Sequence, residues 1–314
     1  MIDSIHLKYQ IKSSEEYESL RRILGAQPSV SYSSYDDGLE IINCSIRNLR
    51  VKLKHPFLFI RGSFPKFKFG DNIKELSWIE LFSTINELSS ILGINLWSSL
   101  IRRIDIGACL FMNNPVSDYL NCLDETPEFK GYYKYQDETQ TYVKSNYSVL
   151  FYDKVKEAIK HNDPLSSVYL EENILRFEVQ LQRRLAAELK HKKVYLARLL
   201  TQSFRKKLLD RWQSSFLKIN IKRTLIKSLD SKNQNKQVNL IKFVDESGGR
   251  SSMLAIMDQF QKSGKTSKNQ RKYFRKLLKK AYSNEANFIL SPLLAELSDK
   301  VRRQHSKFVA TIFA

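Results

Sequence analysis

The stretches IRRIDIGACLF (residues 101–111) and NILRFEVQLQ (residues 173–182) carry the pattern that decides the fold. In both, apolar residues recur at every second position, which is typical of a β-strand with one buried face and one polar face. The apolar positions are Ile104, Ile106, Ala108 and Leu110 in the first stretch and Leu175, Phe177, Val179 and Leu181 in the second. The opposite faces carry Arg103 with Asp105, and Arg176 with Glu178. We therefore predict that both strands present an arginine and a carboxylate on one polar sheet face.

The rest of the first half alternates between strand and helix patterns. Period-two alternation predicts further strands at 2–11, 39–44, 47–53, 56–63, 129–136 and 141–153. Helical spacing predicts helices at about 15–24, 75–92 and 115–123. One face of the second helix carries Leu76, Ile79, Phe82, Ile85, Leu88 and Leu92. This mixture predicts an α+β domain, built on an antiparallel sheet, over residues 1–185.

The charge of the chain is divided unevenly between its two halves. Residues 1–180 carry 21 Lys and Arg against 24 Asp and Glu, a net charge of −3, within a total of +19. Residues 181–314 carry 31 against 9, a net charge of +22. Such an excess indicates a polyanionic partner, either nucleic acid or an anionic membrane surface. The alternative is a basic surface that is merely solvated.

The second half has the pattern of a basic helical domain, predicted over 186–314. No glycine occurs between Gly131 and Gly248, so few breakers interrupt it. A stripe recurs every four residues at Leu196, Leu200, Phe204, Leu208, Trp212 and Phe216. The polar run at 228–237 predicts a loop. Ser267 and Gln270 then form a capping box. It opens a helix with an apolar face of Tyr273, Phe274, Leu277, Leu278, Ala281 and Tyr282 and a basic face of Arg271, Lys272, Arg275, Lys276, Lys279 and Lys280.

The sequence shows no sign of export or of membrane insertion. No apolar run approaches the roughly 18 residues that a membrane helix needs. The start, MIDSIHLKYQ, lacks the basic and apolar regions of an export signal. The three cysteines have no CxxC spacing, which favours reduced thiols over a disulfide framework. We expect a cytoplasmic protein.

Three groups on the predicted sheet are candidates for chemistry. Asp105 and Glu178 share the polar face, and carboxylates are the ligands that Mg²⁺ or Mn²⁺ prefers. The alternative is that each forms a cross-strand ion pair with an arginine. Tyr152 ends a third strand, YSVLFYDK, with Lys154 on the same side. A strand tyrosine usually packs, and five other tyrosines compete with it, namely Tyr132, Tyr133, Tyr135, Tyr142 and Tyr147.

The order of four short motifs resembles a known family. They are HPFLFIRGSFPKFKFGDN (55–72), RRIDIGACLF (102–111), VLFYDKVKE (149–157) and ILRFEVQLQRRL (174–185). This succession is similar to that of the replication initiators of filamentous phages, the gene II protein family, and of their plasmid relatives. The resemblance spans about 55–185 and extends loosely into the basic tail. It implies an RNA-recognition-like palm that nicks one origin strand through a 5′-phosphotyrosine, starts rolling-circle replication and reseals the strand.

The resemblance also assigns roles. It makes Tyr152 the nucleophile, Lys154 its cationic neighbour, and Asp105 and Glu178 ligands of Mg²⁺ or Mn²⁺. Asp71 stands where the family usually has histidine, and is the candidate third ligand. The implied partners are origin DNA, both single-stranded or extruded and duplex, together with a host helicase and polymerase in a bacterial cell, and no membrane. Candidate DNA contacts are Lys66, Lys68, Arg103, Arg176 and the basic face from Arg271 to Lys280.

Two other functions remain open from the residues alone. The first is a non-catalytic origin-binding or repressor protein in which Tyr152 only packs. The second is a basic protein that binds RNA or a membrane surface. Asp105 and Glu178 argue against a pure DNA binder, because such a protein gains nothing from aiming carboxylates at a polyanion.

Overall fold

The computed structural model describes residues 1–34, 40–126, 129–182, 185–221, 224–225, 232–284, 288–289 and 291–313. The strands are Ile2–Gln10 (β1), Ser31–Ser34 (β2), Glu40–Ile46 (β3), Leu49–Lys54 (β4), Phe57–Ser63 (β5), Leu100–Phe111 (β6), Leu123–Asp124 (β7), Gly131–Tyr135 (β8), Thr139–Val143 (β9), Tyr147–Asp153 (β10), Ile174–Leu181 (β11), Asn220–Ile221 (β12), Thr224–Leu225 (β13) and Phe288–Ile289 (β14).

The α-helices are Ser14–Gly25 (α1), Phe64–Phe69 (α2), Trp78–Leu92 (α3), Val116–Asn121 (α4), Lys154–Lys160 (α5), Leu185–Glu188 (α6), Gln202–Phe216 (α7), Lys232–Glu246 (α8), Gly249–Lys262 (α9), Lys268–Ser283 (α10) and Pro292–Phe313 (α11). Short 3₁₀ helices lie at Leu96–Ser98, Ser167–Tyr169 and Leu196–Leu200. In the described part of the chain, no helix is both long enough and apolar enough to cross a membrane.

Ten strands form one sheet in the order β2-β3-β4-β5-β1-β6-β11-β10-β9-β8. Every neighbouring pair is antiparallel. The prediction of an α+β fold with an antiparallel sheet and a helical C-terminal region is therefore confirmed. The two stretches that decided the prediction, β6 and β11, are adjacent central strands.

The alternation in β6 and β11 separates the faces as predicted. Ile104, Ile106, Phe177 and Val179 are fully buried, because this face of the sheet is covered by helices. Behind the centre of the sheet Phe177 stacks on Phe151 with ring centroids 4.7 Å apart. Trp212 of α7 completes this aromatic layer, 4.6 Å from the Phe177 centroid. We therefore expect functional side chains on the opposite, polar face of the sheet.

The core does not break at the predicted domain boundary near 185. One hydrophobic cluster joins the sheet to residues on the far side of that position, among them Leu196, Phe204, Leu208, Trp212, Leu297, Val301 and Phe308. These side chains cover the sheet, so α7 and α11 belong to the same packed unit as the strands. Arg183 and Arg184, at the boundary itself, lie outside the described residues.

Helices α8, α9 and α10 form a separate small unit. They pack on one another around Val244, Met253 and Leu278. Among the described residues, none from 232–284 belongs to the core cluster of the sheet. The chain enters this unit after β13 and leaves it before β14, and these two strands pair with each other. The basic helical unit is therefore an insertion whose ends lie side by side.

Several local predictions differ from the structure. The predicted strand 141–153 is the end of β9, a tight turn and β10, because Lys144 N–H bonds to the Tyr147 carbonyl at 2.9 Å. The predicted loop at 228–237 is wrong from residue 232 onward, where α8 begins, and 226–231 lie outside the described residues. Ile79 and Tyr273, assigned to apolar helix faces, are 77% and 64% exposed. The predicted capping box at Ser267 is present, and the structure has a second one at Ser77.

The adjacent ends of the insertion yield a prediction about folding. Replacing residues 226–287 by a linker of about four glycine and serine residues should leave one cooperative thermal transition, because β13 and β14 then close as a hairpin. Circular dichroism on heating measures this. A fragment ending at residue 185 is the counterpart, and should not fold, because it lacks the helices that cover the sheet. A folded 1–185 fragment would contradict the continuous core.

Candidate active site

An open cleft of about 800 Å³ lies on the polar face of the sheet. Its floor is formed by β1, β6, β11 and β10. The helices α2 and α5 flank it with Lys66 and Glu157. Three residues singled out from the sequence, Tyr152, Asp105 and Glu178, line it together. Their convergence follows from strand parity, because all three strands place these positions on the face opposite the core.

Tyr152 is half-buried and donates a hydrogen bond to Glu178. The Oη–Oε2 distance is 3.3 Å. In the register of β10 and β11, Tyr152 lies opposite Arg176, and Leu150 lies opposite Glu178. Burial raises the pKa of the Tyr152 phenol well above its usual value, and the nearby Glu178 carboxylate raises it further, while Arg176 opposes the shift. The hydroxyl is therefore protonated at neutral pH, and its proton points at a carboxylate.

Arg176 is a buried side chain beneath the floor of the cleft, and it forms ion pairs with the carboxylates of Asp3 and Glu178. Only 2% of its surface is exposed. Its Nη2 lies 3.2 Å from Asp3 Oδ2, and its Nε lies 3.9 Å from Glu178 Oε2. Ser63 completes the arrangement by donating to Asp3 Oδ1 at 2.8 Å. A buried guanidinium is stable only when it is paired in this way.

Gly107 provides the space that the Arg176 guanidinium fills. A Cβ atom at position 107 would lie 2.9 Å from Arg176 Nη2, closer than carbon and nitrogen approach without bonding. Gly107 lies opposite Glu178 in the register of β6 and β11. Because any larger residue would displace the guanidinium, glycine here is part of the site.

Asp105 and Glu178 repel each other. Gln180 lies directly opposite Asp105, so Glu178 is the diagonal neighbour of Asp105 on the same face. Burial, followed by the charge of Glu178, raises the pKa of Asp105 to about 8, although the Arg103 guanidinium opposes the shift. Burial and the charge of Asp3 likewise raise the pKa of Glu178. Two neighbouring acids with raised pKa values favour either a shared proton or a bound cation.

Two of the predicted site residues, Asp71 and Lys154, are not among the residues that line the cleft. Asp71 Oδ1 accepts hydrogen bonds from the backbone N–H groups of Ile73 and Lys74, both at 3.0 Å. Besides Asp105 and Glu178, the cleft is lined by the carboxylates of Asp3, Glu157 and Asp163. Lys154 is buried at the start of α5 and pairs with Glu157. The cation opposite Tyr152 is Arg176.

Three of the four candidate DNA contacts near the cleft, Lys66, Arg103 and Arg176, are engaged in ion pairs within the protein. Arg103 binds both carboxylate oxygens of Asp105, with Nε–Oδ1 at 2.7 Å and Nη2–Oδ2 at 2.8 Å. The assignment of Arg176 to DNA binding is wrong, because its guanidinium is buried. Lys66 lines the cleft and pairs with Asp163, and Lys68 is exposed at the end of α2.

On α10 the basic face is largely open to solvent, as predicted. Lys272, Arg275, Lys276, Lys279 and Lys280 are exposed. Arg271 is half-buried and, like Arg275, forms an ion pair with Asp258 of α9. The apolar face turns Leu278 and Ala281 into the three-helix unit.

Within the described residues, no three His, Cys, Asp or Glu side chains form a ready-made metal site. Asp105 and Glu178 are nevertheless of the ligand type that a hard divalent cation prefers. Their mutual repulsion is the observation that fits a cation, whereas Arg103 must release Asp105 before that carboxylate can bind one. Comparison with models of protein families and with curated proteins finds no match for this chain.

The contact between Gly107 and Arg176 yields a double-mutant prediction. Gly107→Ala should destabilise the protein by about 1–3 kcal/mol, the usual effect of overpacking, since the guanidinium must move. In an Arg176→Ala background the same substitution should be nearly neutral, because the space is vacant. Urea unfolding of the four proteins measures the coupling. An equal effect of Gly107→Ala in both backgrounds would show that the glycine does not serve the arginine.

Proposed function

We propose that this protein is a site-specific DNA nickase that starts rolling-circle replication through a covalent bond between Tyr152 and DNA. The observation that carries the proposal is the hydrogen bond from Tyr152 to Glu178 inside a cleft that also holds Asp105. The four motifs that resemble the phage and plasmid initiators support it. The antiparallel sheet with helices on one face is compatible with their RNA-recognition-like palm.

Tyr152 and Glu178 supply the parts of a transesterification. Tyr152 Oη attacks the phosphorus of a phosphodiester and its proton passes to Glu178. The bond from phosphorus to the 3′ oxygen breaks, and that oxygen takes up a proton from solvent water, which leaves a 5′-phosphotyrosine and a 3′-hydroxyl. A phenol with a raised pKa needs a base in contact with it, and Glu178 is the carboxylate that accepts the hydrogen bond of Tyr152. The reverse reaction reseals the strand without ATP.

A divalent cation, Mg²⁺ or Mn²⁺, would be held by Asp105 and Glu178. It would supply positive charge to the phosphate oxygens and so make the phosphorus more electrophilic. Asp3 is an unsuitable third ligand because Arg176 and Ser63 already bind both of its oxygens. The protein's own contribution is to hold the two carboxylates beside each other, with Asp105 paired to Arg103 and Glu178 to Arg176.

The α10 face and the flanking α8 and α9 are suited to bind duplex origin DNA. Residues 232–284 carry 13 Lys and Arg against 3 Asp and Glu, a net charge of +10. Phosphate contacts from such a surface give affinity with little sequence information. A host helicase and polymerase would act on the opened origin after nicking. The competing function, a non-catalytic origin-binding or repressor protein, predicts the same DNA affinity without a covalent product.

The tyrosine assignment is tested by Tyr152→Phe. Loss of the hydroxyl removes the nucleophile but little packing area, so formation of a denaturation-resistant adduct with labelled single-stranded origin DNA and Mn²⁺ should fall by about 10⁴-fold or more. The melting temperature should change little. Tyr135→Phe is the matched control, because Tyr135 is exposed on the neighbouring hairpin and should retain full activity. An adduct formed by the Tyr152→Phe variant would reject this nucleophile.

Cation binding is tested without any reaction. Mn²⁺ at 100 times its dissociation constant should stabilise the wild-type chain by about 2.7 kcal/mol. Asp105→Asn and Glu178→Gln should abolish this gain. Because the pKa of Asp105 is raised to about 8, the proton competes with the cation below that pH, so the stabilisation by a fixed Mn²⁺ concentration should grow as pH rises from 6 to 8. Equal Mn²⁺ stabilisation of wild type and both variants would exclude this site.

A further inference from the structure

A second groove lies on the polar face of the sheet, beside the cleft. It encloses about 690 Å³ over β3, β4, β5 and β1. Its basic side chains are His6, Arg50, Lys52, Lys54, Arg61 and Arg102. No carboxylate is found among the described residues that line it. We call Arg50, Arg61, His6, Lys8 and Arg102, with Phe59 among them, the basic strip.

The strand register places basic residues directly across from one another. Arg50 lies opposite Arg61, so two full charges face each other, and Arg61 lies opposite His6, whose pKa is lowered to about 4 by burial and by the nearby Arg103 and Arg61. The row continues to Arg103, which lies opposite His6 on β6. Like charges opposite each other in a sheet are destabilising. In the described part of the chain neither Arg50 nor Arg61 forms an ion pair that would offset this repulsion, so the row is explained better by an anionic ligand than by stability.

An aromatic ring lies within the basic strip. Phe59 is half-buried in the floor of the groove, between Lys52 and Lys8 in the register. Its neighbour Phe57 is covered by the Lys8 ammonium, 3.4 Å from the ring centroid. A positive groove with an aromatic floor is the arrangement that binds single-stranded nucleic acid, since phosphates follow the cations and unpaired bases stack on the ring.

The basic strip runs into the cleft. His6, Arg50 and Arg61 line both cavities. Five strand spacings separate β4 from β10, which is about 24 Å along the sheet. We propose that the basic strip binds the single DNA strand that leads to Tyr152, with its phosphates on Arg50 and Arg61 and one base against Phe59. Only the second part of this proposal, that the bound strand leads to Tyr152, rests on the proposed nicking function.

The test uses the full-length protein and a fluorescent oligo-dT strand, with affinity measured by anisotropy over a series of salt concentrations. Arg50→Glu/Arg61→Glu should weaken binding at least 10-fold and reduce the slope of log K against log salt by about 1.4, since each phosphate contact on a single strand contributes about 0.7. Phe59→Ala should weaken binding about 5- to 150-fold, the usual range for a lost stacking contact. Should the double reversal not fold, Arg50→Gln/Arg61→Gln replaces it.

Lys192→Glu/Lys193→Glu is the matched control, because it reverses two exposed charges outside the basic strip. It should leave oligo-dT affinity within about twofold. Equal weakening by both double reversals, or none by the strip variant, overturns the proposal. A larger loss for a duplex of the same length would make the occupant a duplex and also overturn it. The adduct assay on the wild-type chain separates the two proposals. If the wild-type chain forms no adduct while the strip variants still lose oligo-dT affinity, nicking is rejected and the basic strip is retained as a binding site.

Discussion

The burial of the Arg176 guanidinium is the constraint on which the cleft depends. A charge without solvent must be paired, and removing one partner from such a pair commonly costs about 3–5 kcal/mol. Asp3 of β1 and Glu178 of β11 supply the countercharges, and Gly107 of β6 supplies the space. The guanidinium therefore links three adjacent strands from the polar side. Tyr152 lies opposite it on a fourth strand, so the same contact fixes where the phenol stands relative to Glu178.

The first half of the chain is nearly neutral as a whole, but its charged side chains are unevenly distributed over the sheet face. Its net charge of −3 conceals a cleft that holds Asp105 and Glu178 and a basic strip beside it on the same sheet face. A count along the sequence cannot separate them, because alternate residues of a strand point to opposite faces and neighbouring strands are distant in sequence. The strong charge asymmetry of the second half is genuine, yet part of that half covers the sheet and only the inserted helices form a separate unit.

Period-two alternation was sufficient to predict the faces of β6 and β11, and with them the meeting of Asp105 and Glu178. The same alternation assigns Asp3 to the wrong face of the sheet, because the strand is irregular at that point. A bulge between Ile2 and Ile5 shifts the register of β1 against β6. Simple parity would place Asp3 with the apolar Ile5 and Leu7, whereas the bulge turns it toward Arg176. The four-residue stripe from Leu196 to Phe216 identified helical structure but not the surface it packs against, so the boundary near 185 could not be corrected from sequence.

The two cavities also place opposing demands on a bound strand. The basic strip attracts phosphate, while Asp105 and Glu178 repel it at the point where Tyr152 would react. A cation between those carboxylates would remove the repulsion, and a phosphate nearby would in turn favour the cation, because linked binding equilibria are reciprocal. Without the cation, a strand would be retained on the strip and kept out of the reactive end of the cleft. The pKa of Asp105 is raised by burial and by the repulsion from Glu178, so a proton binds where a cation would otherwise bind. Binding and chemistry would thus be separated on one sheet face by the sign of the charges that line it.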